Sequence, residues 1–320
     1  MAQVLVYVTT ADGVADDVSL QALAMGGQLA AGGPVHALVI GDDGAAAGLG
    51  AWGASQVHVA HHPALDAAAP DALARVLVDL AAGLGADAGV GPGTEHGNTV
   101  LARAAARAGL PFAANCTSAT AGNPVLVTRI RWGGSLLEEA AIHADRTILT
   151  VAPHTVAAAQ TGGAAPVTSF TPELDAADLA VRAIERIPAA AGGISLAEAR
   201  VIVSGGRGVG SEAGFAPVEE LAGLLGAAVG CSRAVTISGW RSHTDQVGQT
   251  GTKIAPDLYI ACGISGATQH MAGCKASKKI LAVNKDPEAP IMSAADYAVI
   301  GDLHQVLPAI SAEIRRVRGA

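Results

Sequence analysis

Aromatic residues are nearly missing from this chain: three Trp, three Tyr and three Phe in 320 residues, 3% in all. Proteins that read single-stranded nucleic acid stack bases on aromatic rings, so that class is disfavoured. Positive charge is also in deficit. With 20 Lys and Arg against 28 Asp and Glu, the net charge is -8, which leaves no basic face to cover a phosphate backbone. No apolar run approaches membrane-span length free of charges and glycine–proline breaks. No basic n-region or cleavage site precedes the apolar pattern that follows Met1. These absences predict a cytoplasmic protein with no nucleic-acid partner and no direct membrane insertion. The four cysteines, Cys116, Cys231, Cys262 and Cys274, never fall in a Cys-x-x-Cys pair. Zinc and iron–sulfur ligation is therefore not expected, and the thiols read as small buried hydrophobes in a reducing compartment. His58, His61 and His62 tempt a metal reading. With no carboxylate or cysteine close by in sequence, they read instead as a solvated strand end before Pro63.

What is present points to closely packed α/β layers. Half the residues are hydrophobic, glycine numbers 40, and the length suits two domains better than one. In the first half, strand patterns at residues 4–8, Val35–Ile40, 57–60 and 86–90 alternate with helical patterns at 16–29, Pro70–Leu84 and 99–108. Leu73, Val76, Leu77 and Leu80 form one stripe of the Pro70–Leu84 helix. This alternation predicts a mainly parallel sheet with helices on both faces. The loop Gly91-Pro-Gly-Thr-Glu-His-Gly-Asn98 lacks both a full Gly-x-Gly-x-x-Gly and a Lys-Ser/Thr, so it reads as an ordinary strand-to-helix turn with Thr94 as its cap.

After Leu110 the pattern changes. Residues 124–132 and 135–143 read as two strands joined across Gly133-Gly134, with Arg129 and Arg131 giving one basic face. A strand at 147–152, a surface loop at 157–166 and a strand at Val167–Phe170 follow, while 179–187 fits either a helix or an extended connection. Pro188-Ala-Ala-Ala-Gly-Gly193 is the linker, dividing the chain into domains 1–190 and 191–320. Ser195-Leu-Ala-Glu198 then has capping-box spacing.

The second domain repeats the α/β theme. Strands are expected at 200–204, 235–238, Leu258–Cys262, 279–284 and Tyr297–Ile300. Helices are expected at 217–228, from about Ala267, and at 302–316, the last capped by Asp302. Two strands run into glycine turns, Gly205-Gly-Arg-Gly-Val-Gly-Ser211 and Gly263-Ile-Ser-Gly266. Backbone amides at such strand-to-helix turns suit phosphate or pyrophosphate, although glycines alone also close tight turns. Open α/β sheets bind ligands at these carboxyl ends. Beside them lies a third, polar loop, Gln246-Val-Gly-Gln-Thr-Gly251, and Gln269 and His270 follow Gly266 in the first helical turn. No acidic residue stands at the distance a plain NAD fold requires, so an NAD-linked enzyme is poorly supported. A nucleotide-binding module without redox chemistry stays open on the residues alone.

The second domain resembles the FAD-binding domain of electron-transfer flavoprotein alpha subunits. The motifs that carry the likeness are Val203-Ser-Gly-Gly-Arg-Gly208, Cys231-Ser-Arg233, Gln246-Val-Gly-Gln-Thr-Gly251, Asp257-Leu-Tyr-Ile-Ala261, Gly263-Ile-Ser-Gly-Ala-Thr-Gln-His270 and Ala282-Val-Asn-Lys-Asp-Pro-Glu-Ala-Pro290. Ala295-Asp-Tyr297 and Gly301-Asp-Leu303 complete the series in family order. The first half is similar more loosely, through its opening strand and Arg131-Trp-Gly-Gly-Ser135. The segment Trp240-Arg-Ser-His-Thr-Asp245 departs from the family pattern.

The resemblance implies FAD bound by a Rossmann-like second domain, with a first domain that meets a beta subunit in a heterodimer. It implies an electron carrier, without substrate chemistry of its own, between flavin dehydrogenases and a membrane quinone oxidoreductase or respiratory chain. Carried across, Arg207 and Arg233 approach the flavin ring and Ser232 adds a polar contact. Gln246, Val247, Gly248, Gln249 and Thr250 wrap the ribityl and ring, with Thr250 at the N5 region. Ser265, Gly266, Ala267, Thr268 and Gln269 line the pyrophosphate turn. His270, charged or donating, lies near the pyrimidine carbonyl, and Asn284, Asp302 and Leu303 hold the adenosine end.

Overall fold

The computed structural model describes residues 2–11, 13–65, 69–132, 136–182, 195–196 and 199–319. The chain divides into two compact units, Met1–Arg186 and Ile187–Ala320. The expected linker at 188–193 and most of the ambiguous stretch at 179–187 lie outside the described residues. No helix among the described residues is long and apolar enough to cross a membrane.

The first unit runs β1 (Val4–Tyr7), β2 (Thr10–Ala11), β3 (Val14–Ala15), α1 (Asp17–Ala30), β4 (Val35–Ile40), α2 (Asp43–Ala46), β5 (Gln56–Ala60), α3 (Pro70–Leu84), β6 (Ala88–Pro92), α4 (Glu95–Ala108), β7 (Phe112–Thr120), β8 (Val125–Arg131), β9 (Leu136–Ile142), β10 (Thr147–Val151) and β11 (Val167–Phe170). Nine strands form one sheet in the order β11-β5-β4-β1-β6-β10-β7-β8-β9. Pairing is parallel from β11 to β7, and β8 and β9 add an antiparallel edge. Every residue of β1 is buried, as a strand covered on both faces requires. Helix boundaries follow local chemistry. The Asp16 carboxylate accepts from Ser19 N at 2.7 Å to cap α1, and α3 starts on Pro70 and stops at left-handed Gly85.

The first unit differs from its sequence pattern at three places. Helix α4 starts at Glu95 rather than 99, capped by Thr94 Oγ1, which accepts from Gly97 N at 3.0 Å. Gly97 conceals that first turn, and it is needed, because a Cβ there would stand 2.0 Å from the Pro92 carbonyl oxygen. Strand β7 has no clean sequence signal because a bulge between Cys116 and Ser118 interrupts its two-residue alternation. His58 is not solvated. It is buried on β5 and its Nε2 lies 3.0 Å from Nδ1 of His36 on β4. Burial lowers the pKa of both rings, so the pair is held neutral. No metal-ligand cluster occurs among the described residues, and all four cysteines are buried and free.

The basic face of β8 is largely compensated: Arg129 and Arg131 both reach Glu138 on β9, at 2.9 and 3.1 Å. A deeper contact closes the end of the unit. Asp178 is fully buried and pairs with Arg107 at 2.7 Å, with Arg75 further off at 3.8 Å. Asp178→Ala is expected to destabilise the first unit by about 2 kcal/mol, the scale of a charged contact. Asp79→Ala, at a half-exposed partner of Arg75, is expected to cost under about 1 kcal/mol. Urea melts of the two variants check the contrast.

The second unit runs β12 (Val201–Gly205), α5 (Ala216–Leu225), β13 (Ala228–Cys231), α6 (Arg233–Ile237), β14 (Leu258–Cys262), α7 (Thr268–Cys274), β15 (Ile280–Asn284), α8 (Pro290–Ala294), β16 (Tyr297–Ile300) and α9 (Leu303–Arg318). Its five strands are all parallel, in the order β13-β12-β14-β15-β16. The expected strand at 235–238 is wrong: most of it is the last part of α6, and the edge strand is β13. Of the capping-box segment, Glu198 lies outside the described residues, but Ala199 N donates to Ser195 O at 3.0 Å.

Candidate functional site

In a parallel sheet the ligand crevice opens at the carboxyl edge where the strand order reverses. In the second unit that point lies between β12 and β14, since the next strand in sequence, β13, pairs on the other side of β12. The glycine turns that follow β12 and β14 cross there. Gly206 N donates to Cys262 O at 2.8 Å, and Gly208 N donates to Gly263 O at 3.1 Å. No side chain fits the crossing. A Cβ on Gly206 would stand 2.2 Å from Gly263 O, and one on Gly208 would stand 2.6 Å from Gly263 Cα. Gly266 has φ +81° and packs so tightly on α8 that a Cβ would meet Ile291 N at 2.4 Å. Ala267 heads α7 without a side-chain cap, and although His270 N donates to Ala267 O at 2.8 Å, the Thr268 and Gln269 amides of the first turn are open to another acceptor.

The third loop is bound to both neighbours. Val247 N donates to Cys231 O at 2.9 Å and Gln249 N to Gln269 O at 2.7 Å. Gly273 lets α7 approach, since its Cβ would lie 2.4 Å from Gly248 Cα. Beside this loop a cleft of about 430 Å³ is lined by Arg233, Thr236, Ile237, His243, Gln246 and Thr250. That volume falls in the range of small-molecule sites. Arg233 is exposed and makes no ion pair with a described residue, so the structural explanation for its charge is missing. The Gln246 side chain is buried and bonded at both ends: Thr236 Oγ1 donates to its Oε1 and its Nε2 donates to Thr250 Oγ1, each at 2.9 Å.

His270 is buried in the first turn of α7, with Nε2 2.8 Å from the Tyr259 hydroxyl. Its Nδ1 has no partner that meets hydrogen-bond geometry. Burial pushes its pKa down to about 4, and the nearby Val247 backbone offsets this only in part. Of the two forms expected of His270, the structure therefore favours the neutral donor. Where Tyr259 donates to Nε2, the ring proton sits on Nδ1.

The other expected residues divide by exposure. Arg207 is exposed on the short turn after β12, and Ser232 stands at the N-cap of α6 with its N–H donating to Gly205 O at 3.1 Å. Gln249, Thr250, Ser265, Ala267, Thr268 and Gln269 are exposed, whereas Val247 and Leu303 are buried core side chains. Asn284 donates its amide to Ile264 O at 2.9 Å, bracing the β14 turn. Asp302 caps α9 through His304 N at 2.9 Å, and Lys285 pairs with its other oxygen at 2.9 Å. That carboxylate is held well below the ordinary range, chiefly by Lys285. Thr236, Ile237 and His243 are additions to the expected set. Reading residues 235–238 as a strand hides Thr236, whereas a helix puts it three residues from Arg233 on one face. Arg241 anchors the divergent segment, reaching Asp245 at 2.9 Å and stacking 5.3 Å over Phe215.

Comparison with known proteins covers both units. Residues 4–175 match the electron transfer flavoprotein domain, and residues 195–275 match the electron transfer flavoprotein FAD-binding domain. The chain is 36% identical over 319 residues to the electron transfer flavoprotein subunit alpha of Bacillus subtilis, covering 98% of each chain. The corresponding subunit of Mycobacterium leprae is 38% identical over 325 residues, with 100% of both chains covered. That of Mycobacterium tuberculosis is 42% identical over 327 residues, again with 100% of both covered. Because the same family is matched across both units and along whole relatives, the chain belongs to the electron transfer flavoprotein family, as an alpha subunit.

Proposed function

We propose that this chain works in the cytoplasm, joined to an electron transfer flavoprotein beta subunit, and carries electrons on FAD from flavin dehydrogenases to a membrane quinone oxidoreductase. Residues 191–320 hold the cofactor and residues 1–190 meet the partner subunit. The observation that carries the reading is the side-chain-free crossing of the Gly206–Gly208 and Gly263 turns at the switch point of the second sheet. Such a cradle suits the pyrophosphate of a dinucleotide, and the exposed Arg233 beside the cleft, unpaired among the described residues, suits an electron-rich ring. The residues present therefore fit FAD.

When bound, FAD supplies an isoalloxazine that takes up and releases electrons. The chain holds and tunes it. Ser265, Gly266, Ala267, Thr268 and Gln269 offer backbone and side-chain donors to the pyrophosphate. Asn284, Asp302 and Leu303 hold the adenosine end, Leu303 through its backbone because its side chain is core. Gln246, Val247, Gly248, Gln249 and Thr250 border the ribityl and ring. Arg207, Ser232, Arg233 and His270 face the ring with positive charge and donors, which favour its electron-rich form.

Arg233→Gln is expected to weaken reduced FAD relative to oxidised FAD by roughly tenfold or more, as loss of a charged contact of ~1.5–3 kcal/mol implies. Anaerobic potentiometry measures that ratio. The carrier role is tested by mixing the heterodimer anaerobically with a substrate-reduced flavin dehydrogenase from the same cell. Bleaching of the flavin band within seconds supports it. Flavin that stays oxidised with every dehydrogenase tried rejects the assigned donors.

A further inference from the structure

Thr236, Gln246 and Thr250 form one hydrogen-bonded line at the wall of the cleft. The Thr236 hydroxyl lies 2.9 Å from Gln246 Oε1 and also 2.9 Å from the Arg233 carbonyl. A hydroxyl has a single proton, so it cannot donate to both at once. Two consistent arrangements result. In the first, Thr236 donates to Gln246 Oε1, Gln246 Nε2 donates to Thr250, and the Thr250 proton is left for an acceptor in the cleft. In the second, Thr236 donates to the Arg233 carbonyl and the Gln246 amide is turned over. Its nitrogen then donates to Thr236, its oxygen accepts from Thr250, and Thr250 offers a lone pair to the cleft. The two ends of an amide have nearly the same shape, so packing tolerates either orientation. Gln246 is 1% exposed, so its amide depends on these two threonines rather than on water.

We propose that Thr236 and Gln246 form a reversible relay that lets Thr250 act as donor or as acceptor toward the N5 side of bound FAD. Thr236 is then a positioning residue, acting through Gln246, and this inference rests on the reading of the cleft given above. Isoalloxazine N5 accepts a hydrogen bond when oxidised and bears an N–H after uptake of two electrons and a proton. The first arrangement leaves the Thr250 proton free to turn to N5, and the second commits that proton to Gln246 and leaves only lone pairs for an N5 N–H. A relay that can switch between them matches both states.

Thr236→Val removes the hydroxyl with little change of shape. The turned amide would then bury a nitrogen with no acceptor, which is tolerated less well than a carbonyl with no donor. The valine therefore removes the arrangement in which Thr250 is committed to accepting, and so disfavours reduced FAD. Thr236→Ala does the same with a smaller side chain, and Thr236→Ser restores the hydroxyl. The test is anaerobic reduction of the alpha–beta heterodimer, with dithionite supplying the electrons and solvent the proton. It measures the two-electron potential and the dissociation constant of oxidised FAD for all four proteins.

The ratio of reduced to oxidised FAD affinity is expected to fall roughly three- to tenfold in the Val and Ala variants. A tenfold fall lowers the potential by about 30 mV. The Ser variant is expected to keep the wild-type value. Wild-type potentials in both Val and Ala variants would overturn the relay while leaving the FAD site standing. A Ser variant shifted as far as Val would overturn it too, making the role of Thr236 one of packing. A wild-type heterodimer that holds no FAD would overturn the reading of the site itself, and the relay with it.

Discussion

Replacing Gly206 by alanine is expected to destabilise the second unit by about 3 kcal/mol and to abolish FAD retention. The added Cβ would stand 2.2 Å from Gly263 O and 2.7 Å from both Gly263 C and Ile264 Cα. All three are backbone atoms, so no rotamer change relieves the clash, and one of the two crossing turns must move. The crossing sits beneath the proposed pyrophosphate position, so stability and binding fail together. Gly223→Ala is the internal control. Gly223 lies within α5 with nothing within 4 Å of its Cβ position, and alanine there is expected to add about 0.5–1 kcal/mol. Urea melts and flavin absorbance of the two variants measure the contrast. A Gly206→Ala protein as stable and as yellow as wild type would mean the crossing is not as tight as described.

Acid lability of the second unit is the other large effect. Burial depresses the His270 pKa from its ordinary 6.5 to about 4. Between those values the unfolded chain binds a proton that the folded chain refuses. The associated stability is fully present above pH ~6.5 and is lost as pH falls toward ~4, by roughly 3 kcal/mol. Urea midpoints of flavin-free protein between pH 7 and pH 4.5 measure the slope in wild type and in His270→Gln. The variant is expected to be less stable at neutral pH, through loss of the Tyr259 bond, but flatter with pH. The buried His36–His58 pair contributes its own acid sensitivity to both proteins and cancels in the comparison. Parallel slopes would show that His270 is solvated in the folded state.

How far the sequence carries the fold depends on which residues mark each element. Val35–Ile40, Pro70–Leu84 and Leu258–Cys262 agree to the residue, because each is an apolar run or stripe, broken in the first only by His36, with a proline, glycine or polar boundary. Strand β13 is invisible for a physical reason. It is Ala-Val-Gly-Cys, and Gly230 is needed because a Cβ there would lie 2.4 Å from Ser204 Oγ. Glycine lowers the strand signal wherever it permits close packing. The β-branched Val235 and Ile237 next to it draw the strand assignment into α6, although Ile237 is 75% exposed.

The candidate site divides in the same way. Its glycine turns are legible because crossing backbones need glycine and little else, and Asp302 is legible as a cap because capping is local. Tertiary partners are not. Nothing in the order of residues brings Thr236 to Gln246, ties Tyr259 to His270, or sends the Arg241 guanidinium to Phe215. The buried, neutral state of His270 likewise depends on how α7 is packed, not on its neighbours in the chain.

The most direct test of the account is the visible spectrum and flavin content of the full chain co-expressed with its beta subunit and purified as the heterodimer. The expected result is a yellow complex with one FAD released per alpha chain, lost in Gly206→Ala and shifted in potential in Arg233→Gln. A folded, colourless heterodimer that also fails to take up added FAD would contradict it.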